Sequence, residues 1–462
     1  MKKLICSLIV AMVTSMLSGC LDNGSSAPPP TNIIATAGDG RVMLTWTGDP
    51  SVDYWLFTAT APSLTAFSWT GLPNARAFIR VSSPFYLCSL FSGTPYYFAM
   101  NGRTNGGPGG DSSPTYSATP YDASANWVAP TPPTNGVPIT ANLNGVGYTS
   151  LTTCSYTNPT SAAGSFATVG AGGAIFTSTD GKTWVDHTST STISSDLYAV
   201  TGYAANQNYP SNPALRWVAV GAGGVSVYSL DGISWAVGRP ENLTYPALRS
   251  LTHVAGTFFA VGDAPTGGSG TILSSTDGIS WTSHASNTTN NLNGVTHGSI
   301  YVAVGDSGTI LTSGDGNTWT VKTPSPAVPG INLRQVISFV NSNGTIIYVA
   351  VGDAGTIVTS RDSGVSWTAQ TVGTADLVGV TAEFHLVANA TTDPVLGYIS
   401  IAQFLAVDFV GNAYTSPNGF DWTLVPPSTG TTSTGTTGLN ALVSSGFGYV
   451  AAGNAGATAY AF

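Results

Sequence analysis

Tyr348 to Trp367 reads YVAVGDAGTIVTSRDSGVSW: an apolar strand, a tight Gly-Asp-x-Gly turn, a second strand, a polar hairpin and a tryptophan. The phrase recurs as FATVGAGGAIFTSTDGKTW (Phe166 to Trp184), WVAVGAGGVSVYSLDGISW (Trp217 to Trp235) and YVAVGDSGTILTSGDGNTW (Tyr301 to Trp319), and with a longer turn from Phe258 to Trp281. Two copies are worn. Phe404 to Trp422 has Asp408 where the others have glycine and Asn418 where they have aspartate, and Tyr449 to Phe462 stops before a hairpin.

A short apolar segment precedes each copy, opened by Leu143, Leu197, Leu248, Leu292, Leu333, Leu377 and Leu439, with an aliphatic residue three places on. That makes seven repeats of four strands: a (Leu-x-x-Val), b (Tyr-Val-Ala-Val-Gly), c (Gly-Thr-Ile-Leu-Thr-Ser) and d, opened by tryptophan. Helical periodicity is absent, and β-branched or aromatic runs cut by Gly, Asn, Asp and Ser argue for hairpins. Radial repetition of four-stranded antiparallel sheets is the pattern of a β-propeller. The seventh repeat lacks strand d, and Asn126-Trp127-Val128-Ala129-Pro130 matches the missing piece. The expected fold is therefore all-β, with a seven-bladed propeller over residues 121–462 closed by an N-terminal strand. Closure leaves no edge for another chain to extend.

Ser360 to Trp367 fits Ser-x-Asp-x-Gly-x-Thr/Ser-Trp, and shorter versions centre on Asp180, Asp231, Asp277 and Asp315. An aspartate early in such a turn accepts backbone N–H groups, glycine takes the positive φ and tryptophan covers the hairpin, so these carboxylates read as folding groups. This hairpin resembles the Asp-box of the bacterial neuraminidase (BNR) repeat. The array resembles Asp-box propellers of the photosystem II assembly-factor type and, more distantly, those of sialidases, sortilins and xyloglucanases. The resemblance is specific for fold and not for activity.

The amino terminus carries a different message. Lys2-Lys3 and the apolar run from Leu4 to Leu17 have the form of an export signal, too short to span a membrane convincingly. Leu17-Ser18-Gly19-Cys20 resembles a bacterial lipobox. The resemblance implies cleavage after residue 19, acylation of Cys20 and, with Leu21 following, an outer-membrane lipoprotein on the periplasmic side or at the cell surface. Residues 20–30 end in a proline run and read as a tether. Only 8% of residues are charged, so Ser, Thr, Asn and Gly cover the surface, a habit of exported proteins. Loss of Lys2 and Lys3 moves the formal charge from −9 to −11, which speaks against a nucleic-acid partner. Cys88 and Cys154 remain and are free to pair in an oxidising compartment.

Residues 31–120 break the repeat. Short strands such as Arg41 to Trp46 and Val52 to Ala59 suggest a β-sandwich. The stretch resembles a fibronectin type III module, with Trp46 in the core of its second strand and Leu90 and Tyr96 at the tyrosine-corner positions. The aromatic run Phe67, Trp69, Phe78, Phe85 and Tyr86 departs from that pattern, and two readings fit it: packing on the propeller, or a sandwich core with an irregular strand.

Strand order puts the b–c turns and the d–a connections on one face. The d–a connections vary most, and variable loops on a repeated scaffold carry binding. On that face stand Asp263, Asp306, Asp353 and Asn454 at equivalent turn positions, Arg249 and Arg334 at equivalent strand-a positions beside Asn144, Tyr198, Asn293 and Asn440, and Arg239, Glu241 and Tyr245 in one d–a loop. A ring of oxygen ligands suits a hard cation such as calcium; the plainer reading has each residue cap its own turn. The arginine position faces either the channel or, on the preferred reading, the next blade as a satisfied core polar group. His253 and His297 match in adjacent repeats but lack a third metal ligand, and read as turn residues.

Sialidases need three arginines, a tyrosine nucleophile and a glutamate, yet glutamate occurs only as Glu241 and Glu383 and no Phe-Arg-Ile-Pro motif precedes the first repeat. A nucleophile elbow, a phosphate loop and a dinucleotide fingerprint are likewise missing. The function expected is a non-catalytic envelope lipoprotein whose propeller binds a protein or glycan. The alternative is a carbohydrate-active hydrolase using Asp263, Asp306, Asp353 and Glu241.

Overall fold

The computed structural model describes residues 24–38, 40–88, 90–121, 127, 139–149, 164–190, 192–202, 217–242, 244–341, 344–388, 398–426, 434, 436–445 and 448–461. The lipobox with Cys20, and also Cys154, lie outside the described residues. Among the described residues the chain divides into two compact modules, one of residues 24–121 and the other carrying every strand from Leu143 onward.

The first module holds two sheets. One pairs Thr31–Gly38, Arg41–Thr47 and Phe85–Leu87; the other joins Ser25–Ala27, Asp53–Ala59, Arg76–Val81, Tyr96–Thr104 and Tyr116–Ala118. Alternation works as expected in Arg41–Thr47, where Val42 and Leu44 are fully buried, but Trp46 is only half-buried and does not fill the core. Ser25–Ala27, inside the stretch expected to be a tether, is an edge strand with Ser25 opposite Thr104. Trp69 packs on Phe57 at 5.8 Å and Phe78 on Phe85 at 5.6 Å, so these aromatics are used inside the module, while Phe67 is exposed. The Tyr96 hydroxyl accepts the Phe91 N–H at 3.2 Å. Cys88 is buried and disulfide-bonded.

The second module is a series of antiparallel sheets in strand order a-b-c-d, the arrangement of a propeller. Repeat one comprises Leu143–Thr149, Ser165–Gly170, Ile175–Ser178 and Val185–Asp186; repeat two, Leu197–Gly202, Trp217–Gly221, Ser226–Ser229 and Trp235–Arg239. Repeat three has Leu248–Val254, Thr257–Gly262, Thr271–Ser275 and Thr282–His284, and repeat four Leu292–His297, Tyr301–Gly305, Ile310–Ser313 and Thr320–Lys322. Leu333–Val340, Ile346–Gly352, Thr356–Ser360 and Thr368–Thr371 form repeat five; Leu377–Ala388, Tyr398–Asp408, Ala413–Ser416 and Thr423–Leu424 form repeat six. Among the described residues repeat seven has three strands, Leu439–Ser444, Tyr449–Gly453 and Thr458–Ala461.

Strand b explains the packing. Ile346–Gly352 is buried at every position, because both faces of its sheet are covered by neighbouring sheets and alternation disappears. Apolar layers join sheets one and two, two and three, three and four, four and five, and five and six. A further layer, Leu143, Phe166, Phe176 and Trp184 with Val450 and Ala452, joins sheet one to sheet seven. Strand a of repeat six lies beside strand a of repeat seven. Trp127 is buried and stacks on Tyr449 with ring centres 6.3 Å apart. Within repeats the same partnership is Trp367 on Tyr348 at 6.0 Å and Trp319 on Tyr301 at 6.2 Å.

The polar hairpins follow local chemistry. Asp315 Oδ1 accepts the N–H groups of Asn317 and Thr318, both at 2.8 Å, while the Ser313 hydroxyl accepts Gly316 N–H at 2.9 Å and donates to Asp315. Asp231 repeats this with Ile233 and Ser234. Backbone N–H donation holds the carboxyls of Asp231 and Asp315 below their ordinary range. Trp319 Nε1 donates to the Gly316 carbonyl at 3.1 Å, locking the cover to the turn.

Candidate functional site

The b–c turns are positioned by a hydrogen bond made in all seven repeats. The first turn N–H donates to the carbonyl of the residue before strand a: Ala171 to Asn142, Ala222 to Asp196, Asp263 to Ala247, Asp306 to Asn291, Asp353 to Asn332, Phe409 to Asp376 and Asn454 to Gly438. This close approach explains the glycine ending strand b. At Gly305 the backbone is extended, with φ −166°, so no special conformation is needed; a Cβ there would sit 2.0 Å from the Asn291 carbonyl oxygen.

A second bond crosses to the next repeat. The following turn N–H donates to the side chain that precedes the next strand a: Gly172 to Asp196 at 2.9 Å, Ala264 to Asn291 at 2.9 Å, Ser307 to Asn332 at 3.3 Å and Ala354 to Asp376 at 3.0 Å. The same bond runs from Ala455 of repeat seven to Asn142 of repeat one at 2.9 Å. Asn144, Asn293 and Asn440 add amide donation to the carbonyls of Leu197, Leu333 and Leu143, again including the step from seven to one.

This network corrects the expected roles of the turn residues. Asp306 does not cap its own turn: its oxygens accept the amides of Asn291 at 2.9 Å and Asn293 at 2.8 Å. Asp263 takes the guanidinium of Arg249 through both oxygens, and Arg334 bridges Asp353 at 2.7 Å and Asp376 at 2.9 Å. Asn454 accepts the Asn440 amide at 2.8 Å. The two arginines are therefore half-exposed partners of the turn carboxylates, not core polar groups. Their reach decides it, since a guanidinium spans the gap that an asparagine closes in repeats four and seven. Arg249 lies over the Tyr198 ring at 5.6 Å, and its hydrogen bond to Asp263 raises its pKa further. Among the described residues no set of three His, Cys, Asp or Glu is placed to hold a metal ion.

Arg239, Glu241 and Tyr245 gather around the Ala222–Gly224 turn, but in separate contacts. The Arg239 guanidinium sits over the Tyr245 ring at 4.3 Å, and Glu241 accepts the Ser195 hydroxyl. Glu383 is buried and accepts the Ser444 hydroxyl. His253 and His297 are strand residues and not turn residues, each against an aromatic ring of its own sheet, Phe258 at 4.6 Å and Tyr301 at 4.3 Å. Burial lowers the His253 pKa to about 4. A cavity of about 430 Å³ lies elsewhere, lined by Thr149, Val185, His187, Trp217 and Ile233. Its histidine is engaged by the Thr177 hydroxyl at 2.9 Å, and its Asp231 holds a hairpin.

Repeat six departs from the scheme in a way that sequence reading took for wear. Asp408 replaces the strand-ending glycine and is fully buried. Its carboxylate accepts the Asn412 N–H and side-chain amide, both at 2.7 Å, and the Tyr414 hydroxyl at 3.2 Å. Burial first, then Asp408, pushes the Tyr414 hydroxyl up to about 12, so it stays a donor. The turn so braced places Phe409 and Val410 on the surface, 42% and 41% exposed. A usable signal was present: the other repeats put Ala, Asp or Asn where Phe409 stands.

One family-model match supports the propeller. Residues 212–345 match the family model described as the DUF6242 beta propeller domain. No curated protein matches the chain. Similar solved structures include YCF48 bound to D1 peptide (TM-score 0.48, 15% identity, 72% of this chain and 94% of that one) and YCF48 from Cyanidioschyzon merolae (TM-score 0.49, 14% identity, 72% and 98%). The WD40 β-propeller domain of Doa1 is similar at TM-score 0.47 and 9% identity, over 72% of this chain and 94% of that one.

Proposed function

We propose that the second module is a seven-bladed propeller, closed by the segment around Trp127, that acts as a non-catalytic binding module on its b–c and d–a face. The observation that carries the binding reading is the state of the carboxylates on that face. Asp263, Asp306, Asp353 and Glu241 each have an assigned donor, Arg249, the Asn291 and Asn293 amides, Arg334 and Ser195 respectively, so the face is a pre-set polar surface. Hydrolysis of a glycoside asks for one carboxyl free to protonate a leaving group and a second aimed at the sugar. Half-exposed arginines near strand ends and a tyrosine on a d–a loop suit recognition instead. The seven-to-one contacts of Trp127, Asn142 and Asn440 support the ring.

The reading extends to the whole chain. Cys20 is an acylated anchor at the outer membrane, on its periplasmic side or at the cell surface; the first module is a fibronectin type III-like spacer, for which its two-sheet pairing and the Tyr96 to Phe91 hydrogen bond speak. Cys154 is the proposed partner of Cys88. The ligand class is an envelope protein or glycan. Pull-down from envelope extract after mild cross-linking tests the function: partners recovered by the native chain disappear when the d–a loops at 240–247 and 372–376 are replaced by Gly-Ser. Recovery indifferent to those loops, or turnover of any glycan in a panel, contradicts the reading. Metabolic labelling with a palmitate analogue, lost in Cys20→Ala, tests the anchor, and non-reducing peptide mapping tests the disulfide.

A further inference from the structure

We infer that the Phe409–Val410 turn, with the adjoining carboxylates of Asp353 and Asp376, docks a protein segment that presents an apolar side chain beside a lysine or arginine. The inference rests on the binding face proposed above and names a partner chemistry for it. Its first support is that, among the seven repeats, this turn alone opens with large apolar residues. Six turns do the same structural work with Ala171, Ala222, Asp263, Asp306, Asp353 or Asn454. Phe409 makes the same bond, its N–H to the Asp376 carbonyl at 2.9 Å, so the ring at its tip is not needed for that contact. A fully buried carboxylate, satisfied by Asn412 and Tyr414, fixes the different turn rigidly. A rigid, half-exposed aromatic loses little freedom when it is covered.

Charge selects the occupant. Asp376, whose side chain is 45% exposed, and Asp353 share one guanidinium, that of Arg334, so the rim next to the apolar pair keeps an excess negative charge. Further along the face Asp263 pairs with Arg249, and Asp306 accepts the neutral amides of Asn291 and Asn293. An anionic peptide, a nucleic acid or an acidic lipid surface meets repulsion here, and a basic residue flanking an apolar one meets both halves of its complement. The formal charge of −9 for the chain adds steering in the same sense.

The test uses the full chain, immobilised, with a phage-displayed library of twelve-residue random peptides, followed by fluorescence anisotropy of synthetic copies of the enriched sequences. Enriched peptides are expected to carry Leu, Ile or Phe next to Lys or Arg. Phe409→Ser weakens them by at least about tenfold, the scale of a truncated anchor residue. Asp376→Asn weakens them less and flattens the salt dependence; asparagine already serves the latch at Asn142, Asn291 and Asn332, so this variant keeps the fold. Thermal midpoints check both variants. Failure to enrich any peptide, enrichment of acidic ones, or equal binding to Phe409→Ser overturns the inference. Peptides that ignore Phe409→Ser but lose binding to Tyr245→Ala or Arg249→Ala overturn it while leaving the face as the binding surface. Peptides indifferent to all of these overturn both.

Discussion

Repeats five and six share strand order and core packing, yet only one of them obeys the local rules. In repeat five strand b ends in Gly352, its turn aspartate pairs with Arg334, and its hairpin closes on Asp362. In repeat six the corresponding positions hold Asp408, Phe409 and Asn418, and the first two strands run to 12 and 11 residues. Both retain the first turn N–H bonded to the residue before strand a, Asp353 to Asn332 and Phe409 to Asp376. The backbone contact is thus the scaffold requirement, and the side chains around it are free to vary once the space beside the carbonyl is managed. Departures on this chain mark where the scaffold has been adapted.

The largest break in the comparison is expected at the glycine. A Cβ on Gly352 meets the Asn332 carbonyl at 2.2 Å and Leu333 Cα at 3.0 Å, both backbone, so Gly352→Ala costs about 3 kcal/mol in denaturant unfolding, as for severe overpacking. Restoring the consensus in repeat six gives no reward: Asp408→Gly removes the acceptor for the buried Tyr414 hydroxyl and costs about 2 kcal/mol. Tyr414→Phe, which deletes the donor and leaves Asp408 with Asn412, costs about 1 kcal/mol by the same measurement.

Hydrogen exchange by pH sharpens the contrast between the hairpins. For Asp362 burial pushes the carboxyl up, but its hydrogen bonds with Ser366 and Ser360 outweigh that and hold it below the ordinary 3.8. A depressed folded-state value means stabilisation that is complete above about pH 4 and lost as pH falls through the lower value. Asn418 makes the matching bonds to Phe420 and Asp421 N–H at 2.9 and 2.8 Å with no proton to gain. Protection at Ser366 is therefore expected to fall as pH drops below about 4, more than protection at Phe420. His253 acts at milder pH: its folded value of about 4 against an ordinary 6.5 means that the unfolded chain binds the proton first, so stability declines as pH drops from 6.5 to 4. His253→Gln flattens that part of the profile. The smallest expected effect is Phe409→Ser, within about 0.5 kcal/mol of the native chain, as for a surface position.

The regular parts were legible because their causes are local. Ser313, Asp315, Gly316 and Trp319 close one hairpin among themselves, and the spacing alone announces it. Ile346–Gly352 announces burial on both faces by its unbroken apolar run. The site was less legible because its bonds join residues distant in sequence. Arg334 reaches Asp376 across 42 positions, and Ala455 reaches Asn142 across 313. Nothing in a neighbourhood of Asp353 reveals that its partner is an arginine on strand a and not its own turn. Ser25–Ala27 was missed for a related reason: three small residues carry no apolar pattern, and the strand exists because Tyr96–Thr104 has an open edge. Asp408 shows the opposite error, where a break in a pattern passed for decay.

All face assignments depend on the front of the module meeting its end. A double-mutant cycle on the full chain with Trp127→Leu and Tyr449→Leu tests this directly, with Tyr348→Leu and Trp367→Leu as the within-repeat reference. Ring pairs of this kind couple by about 0.5–1.5 kcal/mol beyond their burial. Equal coupling in the two cycles is the result predicted. Additive effects at Trp127 and Tyr449 beside clear coupling at Tyr348 and Trp367 would contradict the closed seven-bladed ring and, with it, the binding face.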